Sequence, residues 1–153
     1  LVDTVVEALQ DSGLPAEFLE LEVTETTLMR AVQRTDRTLR ALKALGVRIA
    51  IDDFGTGFSS LSYLGNYGFN VLKIDQSFIR NLDETSEDAV IVRSTLEMSH
   101  KLGLKVVAEG VEYQHTLDLQ QRWQCDTAQG YLISRPLEVS AFETWLSRLE
   151  ETA

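Results

Sequence analysis

Acidic side chains recur at four separated places in this sequence, each at the end of a short apolar or alternating run: Glu22 and Glu25, Asp52 and Asp53, Asp75, then Glu109 and Glu112. A single such acid reads as a solvated loop residue. Recurrence after successive runs points instead to one shared site. Carboxylates gathered on one face repel each other unless they are protonated or neutralised by a cation. An all-oxygen donor set, with no histidine or cysteine at matching places, suits Mg2+ or Mn2+ rather than zinc. Two such ions can clamp the attacking and leaving oxygens of a phosphodiester and lower the pKa of a bound water. Lys73 stands two residues before Asp75 in the run Val71-Leu72-Lys73-Ile74 and shares its face by the period of two. A lysine directed into such a layer must be paired or catalytic. Gln129, beside Gly130 near the start of a fifth apolar run, can hydrogen-bond a water or a ligand. Gly55-Thr56-Gly57 lacks the spacing of a Walker loop or a dinucleotide fingerprint and reads as a mobile loop next to Asp53.

The elements that must position these groups alternate along the chain. Val2, Val5, Val6 and Leu9 recur at helical spacing before Gly13, and Leu19 to Glu25 alternates as a strand. A helix is expected from Thr27 to Leu45, with Leu28, Val32, Leu39 and Leu42 on one face, then a buried strand from Arg48 to Phe54. A short helix over Ser59 to Tyr67 precedes a third strand, Phe69 to Asp75. The longest helix is expected from Thr85 to Leu102, with Ile91, Ser94, Met98 and Leu102 on one side and Gly103 after it. A fourth strand from Lys105 to Val111, a helix from Tyr113 to Trp123 and a fifth strand from Thr127 to Ile133 follow. Ser140-Ala141-Phe142-Glu143 reads as a capping box opening a last helix with Phe142, Trp145 and Leu149 inward.

Strands alternating with helices imply parallel β/α units, in either an open doubly wound sheet or part of an eight-fold barrel. Acids at successive strand ends favour the barrel, which gathers its strand ends on one face. The expected fold class is therefore α/β, a partial (β/α)8 barrel of about five units. The chain has 153 residues, 24 acids against 14 bases and a net charge of -10. Such a balance argues against DNA or an anionic membrane as partner, because phosphate-binding surfaces need clustered Lys and Arg. An anionic ligand would need positive charge from elsewhere, such as a metal. A lone cysteine, Cys125, excludes a disulfide framework within the chain and fits a reducing, cytoplasmic setting. His100 and His115 are expected in helices away from the strand ends.

Glu22-Val-Thr-Glu25, Asp52-Asp-Phe-Gly-Thr-Gly57, Leu72-Lys-Ile-Asp75, Glu109-Gly-Val-Glu112 and Gln129-Gly-Tyr131 resemble, in order and spacing, the successive motifs of the EAL-domain cyclic di-GMP phosphodiesterases. The resemblance implies a modified β/α barrel and metal-dependent hydrolysis of one phosphodiester bond of cyclic di-GMP to linear pGpG. The alternative is a degenerate module that binds cyclic di-GMP without cleaving it. By the same resemblance, Glu22, Asp52, Asp53 and Glu109 hold two Mg2+ or Mn2+ ions, and Lys73 positions or helps activate the attacking water. Gln129 supports that water or the substrate. Glu25 braces the loop from Asp53 to Ser60, including Gly55, Thr56 and Gly57, which couples the site to homodimer formation. Asp75 and Glu112 support the site. The resemblance further implies sensor or diguanylate-cyclase domains upstream, a parent protein that can be membrane-anchored, and a chain corresponding to the C-terminal part of one EAL domain. The family's early Glu-Ala-Leu and Asn motifs have no counterpart here, and an isolated fragment is expected to be nearly inactive. The literal Glu7-Ala8-Leu9 falls in the first helix and is not assigned to the site.

Overall fold

A computed structural model describes residues 1–30, 32–57, 64–65 and 67–150. Its strands are β1 (Glu20–Thr24), β2 (Arg48–Phe54), β3 (Val71–Ile74), β4 (Lys105–Glu109) and β5 (Thr127–Gln129). All are parallel and lie in the order β1-β2-β3-β4-β5. A doubly wound sheet reverses its strand order at a switch point, whereas a barrel adds each strand beside the last. The unreversed order is that of a barrel sector. The helices are α1 (Val2–Ser12), α2 (Glu25–Arg30), α3 (Val32–Ala44), α4 (Gln76–Ile79), α5 (Glu87–Lys101), α6 (Gln114–Arg122) and α7 (Val139–Glu150).

The two faces of the sheet differ in chemistry because side chains alternate along each strand. Ile49, Ile51, Leu72, Ile74, Val106 and Ala108 point to the helix side, where they form the core with Leu39, Leu42, Val92 and Leu96. The opposite, concave face carries Glu20, Glu22, Arg48, Lys73, Lys105 and Gln129 around an open volume of about 540 Å³. The apolar layer thus fixes the strands, and the alternate residues are free to carry charge.

Several expectations are corrected. The helix expected from Thr27 to Leu45 is described on both sides of residue 31, as α2 and α3, and it begins earlier, at Glu25, directly where β1 ends. On α5 the buried stripe is Ala89, Val92, Thr95, Leu96 and Ser99, whereas Ile91 and Leu102 are exposed. Thr95 and Ser99 complete the helical repeat of that stripe, and their hydroxyls hide it from a search for apolar residues alone. Ser86 caps α5, its Oγ accepting the Ala89 N–H at 3.2 Å, with Glu87 and Asp88 favourably placed in the first turn. The fifth strand stops at Gln129, not Ile133, and turns through Gly130. The last helix starts at Val139, one residue before the expected capping box, and Phe142 and Leu149 are exposed rather than inward. The expected helix over Ser59 to Tyr67 falls mostly outside the described residues.

Candidate active site

Three strands converge on Lys73. Its side chain is 7% exposed, and its ammonium lies 2.6 Å from Glu22 Oε1, 2.7 Å from Glu109 Oε1 and 3.4 Å from Asp52 Oδ1. The register explains the meeting: Glu22 lies opposite Ala50 in the β1–β2 pairing, Lys73 opposite Val107 in the β3–β4 pairing, and all four groups point to the concave face. Burial alone would lower the pKa of Lys73. The hydrogen bonds to Glu109 and Glu22 and the attraction of Asp52 outweigh burial and hold the ammonium protonated well above its ordinary value. Lys73 is thus held among three carboxylates.

Asp52 and Asp53 are consecutive, so a regular strand would send them to opposite faces. The β2–β3 register shifts between Ile51 and Phe54, and Asp53 adopts a left-handed backbone with φ 55°. A bulge of this kind re-aims side chains next to functional sites. As a result, one carboxylate oxygen each of Asp52, Asp53 and Glu109 lie within 4.8 Å of one another. Burial, then repulsion from Asp52 and Asp75, raises the Asp53 pKa against a smaller opposing pull from Lys73. Asp52 Oδ1 is buried and, beyond the 3.4 Å ion pair with Lys73, accepts no hydrogen bond among the described residues. A buried anionic oxygen so sparsely partnered within a repelling, all-oxygen cluster fits a hard divalent cation.

The remaining expected residues surround this cluster. Glu25, at the start of α2, is 1% exposed, and its Oε2 accepts the Gly55 N–H at 3.1 Å, two residues after Asp53. Residues 58–60 of that loop lie outside the described residues. Asp75 is the N-cap of α4, accepting the Ser77 N–H at 2.9 Å. Gln129 ends β5 rather than starting it, opposite Glu109, which brings it to the site's rim. Glu112 lies outside the cluster and pairs with Arg80 at 3.4 Å. Glu7 is exposed on α1 and takes no part.

Two glycines set the strand ends. A Cβ on Gly110, whose φ is 73°, would stand 2.5 Å from Gln76 Cβ, and one on Gly130 would stand 2.1 Å from the Val111 carbonyl oxygen. The Glu109–Glu112 segment is thus gripped between α4 and the end of β5, with Val111 N–H donating to Gln129 O at 3.0 Å.

The EAL domain family model matches residues 1–136. The chain belongs to the EAL domain family. The chain is 48% identical over 146 residues to the cyclic di-GMP phosphodiesterase NbdA of Pseudomonas aeruginosa, a match covering 95% of this chain and 19% of that protein. The structure of the P. aeruginosa MucR phosphodiesterase in complex with c-di-GMP superposes with a TM-score of 0.89 at 44% identity, over 93% of this chain and 63% of that one. Klebsiella pneumoniae BlrP1, in a manganese and cy-diGMP complex, gives a TM-score of 0.83 at 34% identity, over 88% of this chain and 34% of that one. The chain therefore spans about a fifth of the curated relative's length and under two thirds of the MucR structure. An EAL strand sector accounts for the fold and for an acidic cluster able to hold a metal. Sequence reasoning missed Arg80, whose signal was its spacing of four from Gln76, directly after the Asp75 cap.

Proposed function

We propose that the protein carrying this chain hydrolyses cyclic di-GMP to linear pGpG, with this chain supplying most of the metal-binding residues. The observation that carries the reading is the cluster of Asp52, Asp53 and Glu109 oxygens beside the buried ammonium of Lys73. Asp52, Asp53, Glu109 and Glu22 would hold two Mg2+ or Mn2+ ions. When bound, such ions supply the Lewis acidity and the lowered water pKa that phosphodiester hydrolysis requires. Lys73, fixed in its protonated state, orients Glu22 and Glu109 and presents positive charge to the phosphate or the attacking water. Gln129, at the rim, orients water or substrate by hydrogen bonding. Glu25 holds Gly55 and with it the turn at Gly55, Thr56 and Gly57, and Asp75 and Glu112 brace the neighbouring elements.

The wider setting follows from the same reading. The chain forms the C-terminal part of an EAL domain, the loop after Asp53 carries a homodimer contact, and sensor or diguanylate-cyclase domains accompany it. The site works in the cytoplasm. Among the described residues, no helix is long and apolar enough to cross a membrane.

The test is Mn2+-dependent turnover of cyclic di-GMP, followed by chromatography of pGpG, by the full-length protein and its Asp52→Asn variant. Loss of a metal ligand should lower turnover by two orders of magnitude or more, with Mn2+ affinity falling in parallel. Undiminished turnover in Asp52→Asn would refute the metal assignment. Tight binding of cyclic di-GMP without turnover in the intact protein would identify a sensor module instead.

A further inference from the structure

Beside the acidic cluster, and sharing Glu109 and Gln129 with it, lies a cavity of about 220 Å³ whose walls also include Gln76, Arg80, Glu112 and Tyr131. Among the described residues Arg80 is the only cation on its walls, while Arg135 lies outside, its guanidinium 4.5 Å over the centroid of the Tyr131 ring. The residue closes the short helix α4, its backbone N–H donating to Gln76 O at 2.9 Å. Its Nη2 donates to Gln76 Oε1 at 3.0 Å and lies 3.4 Å from Glu112 Oε1. Both contacts run from that one nitrogen. Nη1 and Nε have no protein partner among the described residues, and the side chain is 52% exposed. The guanidinium is thus held from one side and offers its remaining N–H groups to the cavity.

Charge gives that offer a purpose. The described carboxylates around this mouth are Glu22, Asp52, Asp53, Asp75, Glu109 and Glu112, against the cations Lys73 and Arg80; of the other described cations nearby, Arg48 pairs with Glu20, Lys105 with Asp126, and Arg135 stacks over the Tyr131 ring. Lys73 is buried and engaged with Glu22, Glu109 and Asp52. A cyclic dinucleotide brings two phosphodiester anions. If one meets the metal-binding cluster, the other enters an acidic surface and needs a cation of its own. Guanidinium suits that role because its planar fork binds phosphate oxygens through two parallel N–H groups.

We propose that Arg80 is a substrate-binding residue that receives the second, non-reacting phosphate of the cyclic dinucleotide, with Gln76 and Glu112 orienting its guanidinium. This inference rests on the functional reading above. Arg80 contributes nothing to the metal cluster itself, so its loss should separate substrate affinity from metal affinity.

The experiment is calorimetric titration of cyclic di-GMP into the protein in Ca2+, with chromatography confirming that the ligand stays intact, and a parallel titration of Mn2+ alone. Arg80→Ala should weaken dinucleotide binding about tenfold, the scale of a charge-assisted contact at a half-exposed group. The Mn2+ affinity should stay within twofold. Arg80→Lys should recover part of the loss, because it restores the charge without the fork. The difference between wild type and Arg80→Ala should shrink as salt rises, as screening requires of a contact between charges. Unchanged dinucleotide affinity in Arg80→Ala, or a loss that does not respond to salt, would overturn the phosphate assignment while leaving the phosphodiesterase reading intact. A wild-type protein that binds Mn2+ but not cyclic di-GMP would overturn both.

Discussion

Replacing Lys73 with Met keeps the length and apolar stem of the side chain and removes only the ammonium. The structure sets the scale of the effect. At about 2.7 Å and an effective dielectric of about 20, each close ion contact represents about 6 kcal/mol of attraction before desolvation is counted. Much of that offsets the cost of burying Lys73 at 7% exposure. Removing one partner of a buried pair nonetheless costs about 3–5 kcal/mol, because the remaining charge keeps its burial without its compensation. Glu22 is 48% exposed and can turn to water, whereas Asp52 and Glu109 are about 20% exposed and cannot do so fully. A loss of about 3 kcal/mol, or about 6–12 °C in Tm for a chain of this size, is therefore expected without metal. Mn2+ should then do in the variant part of what the ammonium did in the wild type. At a hundredfold excess over its Kd it stabilises any binding protein by about 2.7 kcal/mol, and in Lys73→Met the loss of a competing cation should add about 1 kcal/mol or more to that. Urea unfolding at pH 7 with and without Mn2+ measures both quantities. Equal stability of wild type and variant without metal, or equal stabilisation of both by Mn2+, would refute the account of Lys73 as a counter-ion to the metal ligands.

Two further perturbations probe the frame around the site. Asp126 accepts from Lys105 Nζ at 2.7 Å, from Val106 N–H at 2.9 Å, and shares a 2.9 Å contact with His100; these outweigh the opposing effect of burial and lower its pKa to about 2. A pKa depressed on folding contributes stability above the unfolded value near 4, which disappears as pH falls through about 2. Asp126→Asn should thus cost about 1 kcal/mol at pH 7, after allowing for solvent screening. It should also flatten the fall in stability between about pH 4 and 2, as read from urea midpoints. Gly130→Ala would force a Cβ to within 2.1 Å of the Val111 carbonyl oxygen, backbone that cannot step aside cheaply, and should lower stability by about 3 kcal/mol. Gly65→Ala, where an added Cβ meets nothing within 4 Å among the described residues, should stay within about 1 kcal/mol of wild type, both read from urea midpoints.

The order of strands and helices was legible because its signals are local. The apolar runs around Ile49, Leu72 and Val106 are buried on the helix side wherever they occur, and the acids after them mark where each strand ends. Helix faces were less legible. The buried stripe of α5 contains Thr95 and Ser99, and the apolar residues of α7 are largely exposed, so hydrophobicity alone placed both faces wrongly. The end of β5 was missed for a different reason. Its turn is dictated by the approach of Gly130 to the Val111 backbone, a contact between segments separated in sequence. The site shows the same division. Glu22, Asp52, Glu109 and Lys73 could be gathered by counting in twos along the strands, but Asp53 could not, since that count sends it away from Asp52. Only the register shift and its left-handed backbone bring it back. Asp75 illustrates the converse, for the same count aligns it with Lys73, yet its carboxylate is taken by the Ser77 N–H as a helix cap.

The disposition of charge explains why this acidic surface needs more than one kind of cation. Lys73 sits beneath the cluster, within 3.4 Å of Glu22, Asp52 and Glu109, so its charge is spent on ligands that would otherwise repel one another in a partly buried place. At Asp53, burial and then repulsion from Asp52 and Asp75 raise the pKa against a smaller pull from Lys73. A monovalent ammonium thus organises the site but leaves a residual negative charge facing outward, and a divalent ion is the economical complement to that residue. Arg80 cannot serve either purpose, because it stands across the next cavity with Glu112 and Gln76. Its charge is available only to something that extends beyond the cluster. The buried lysine, the metal-binding oxygens and the half-exposed guanidinium therefore form a graded series from scaffold to outer rim, and a ligand with two separated anionic groups is the one that uses both outer steps at once.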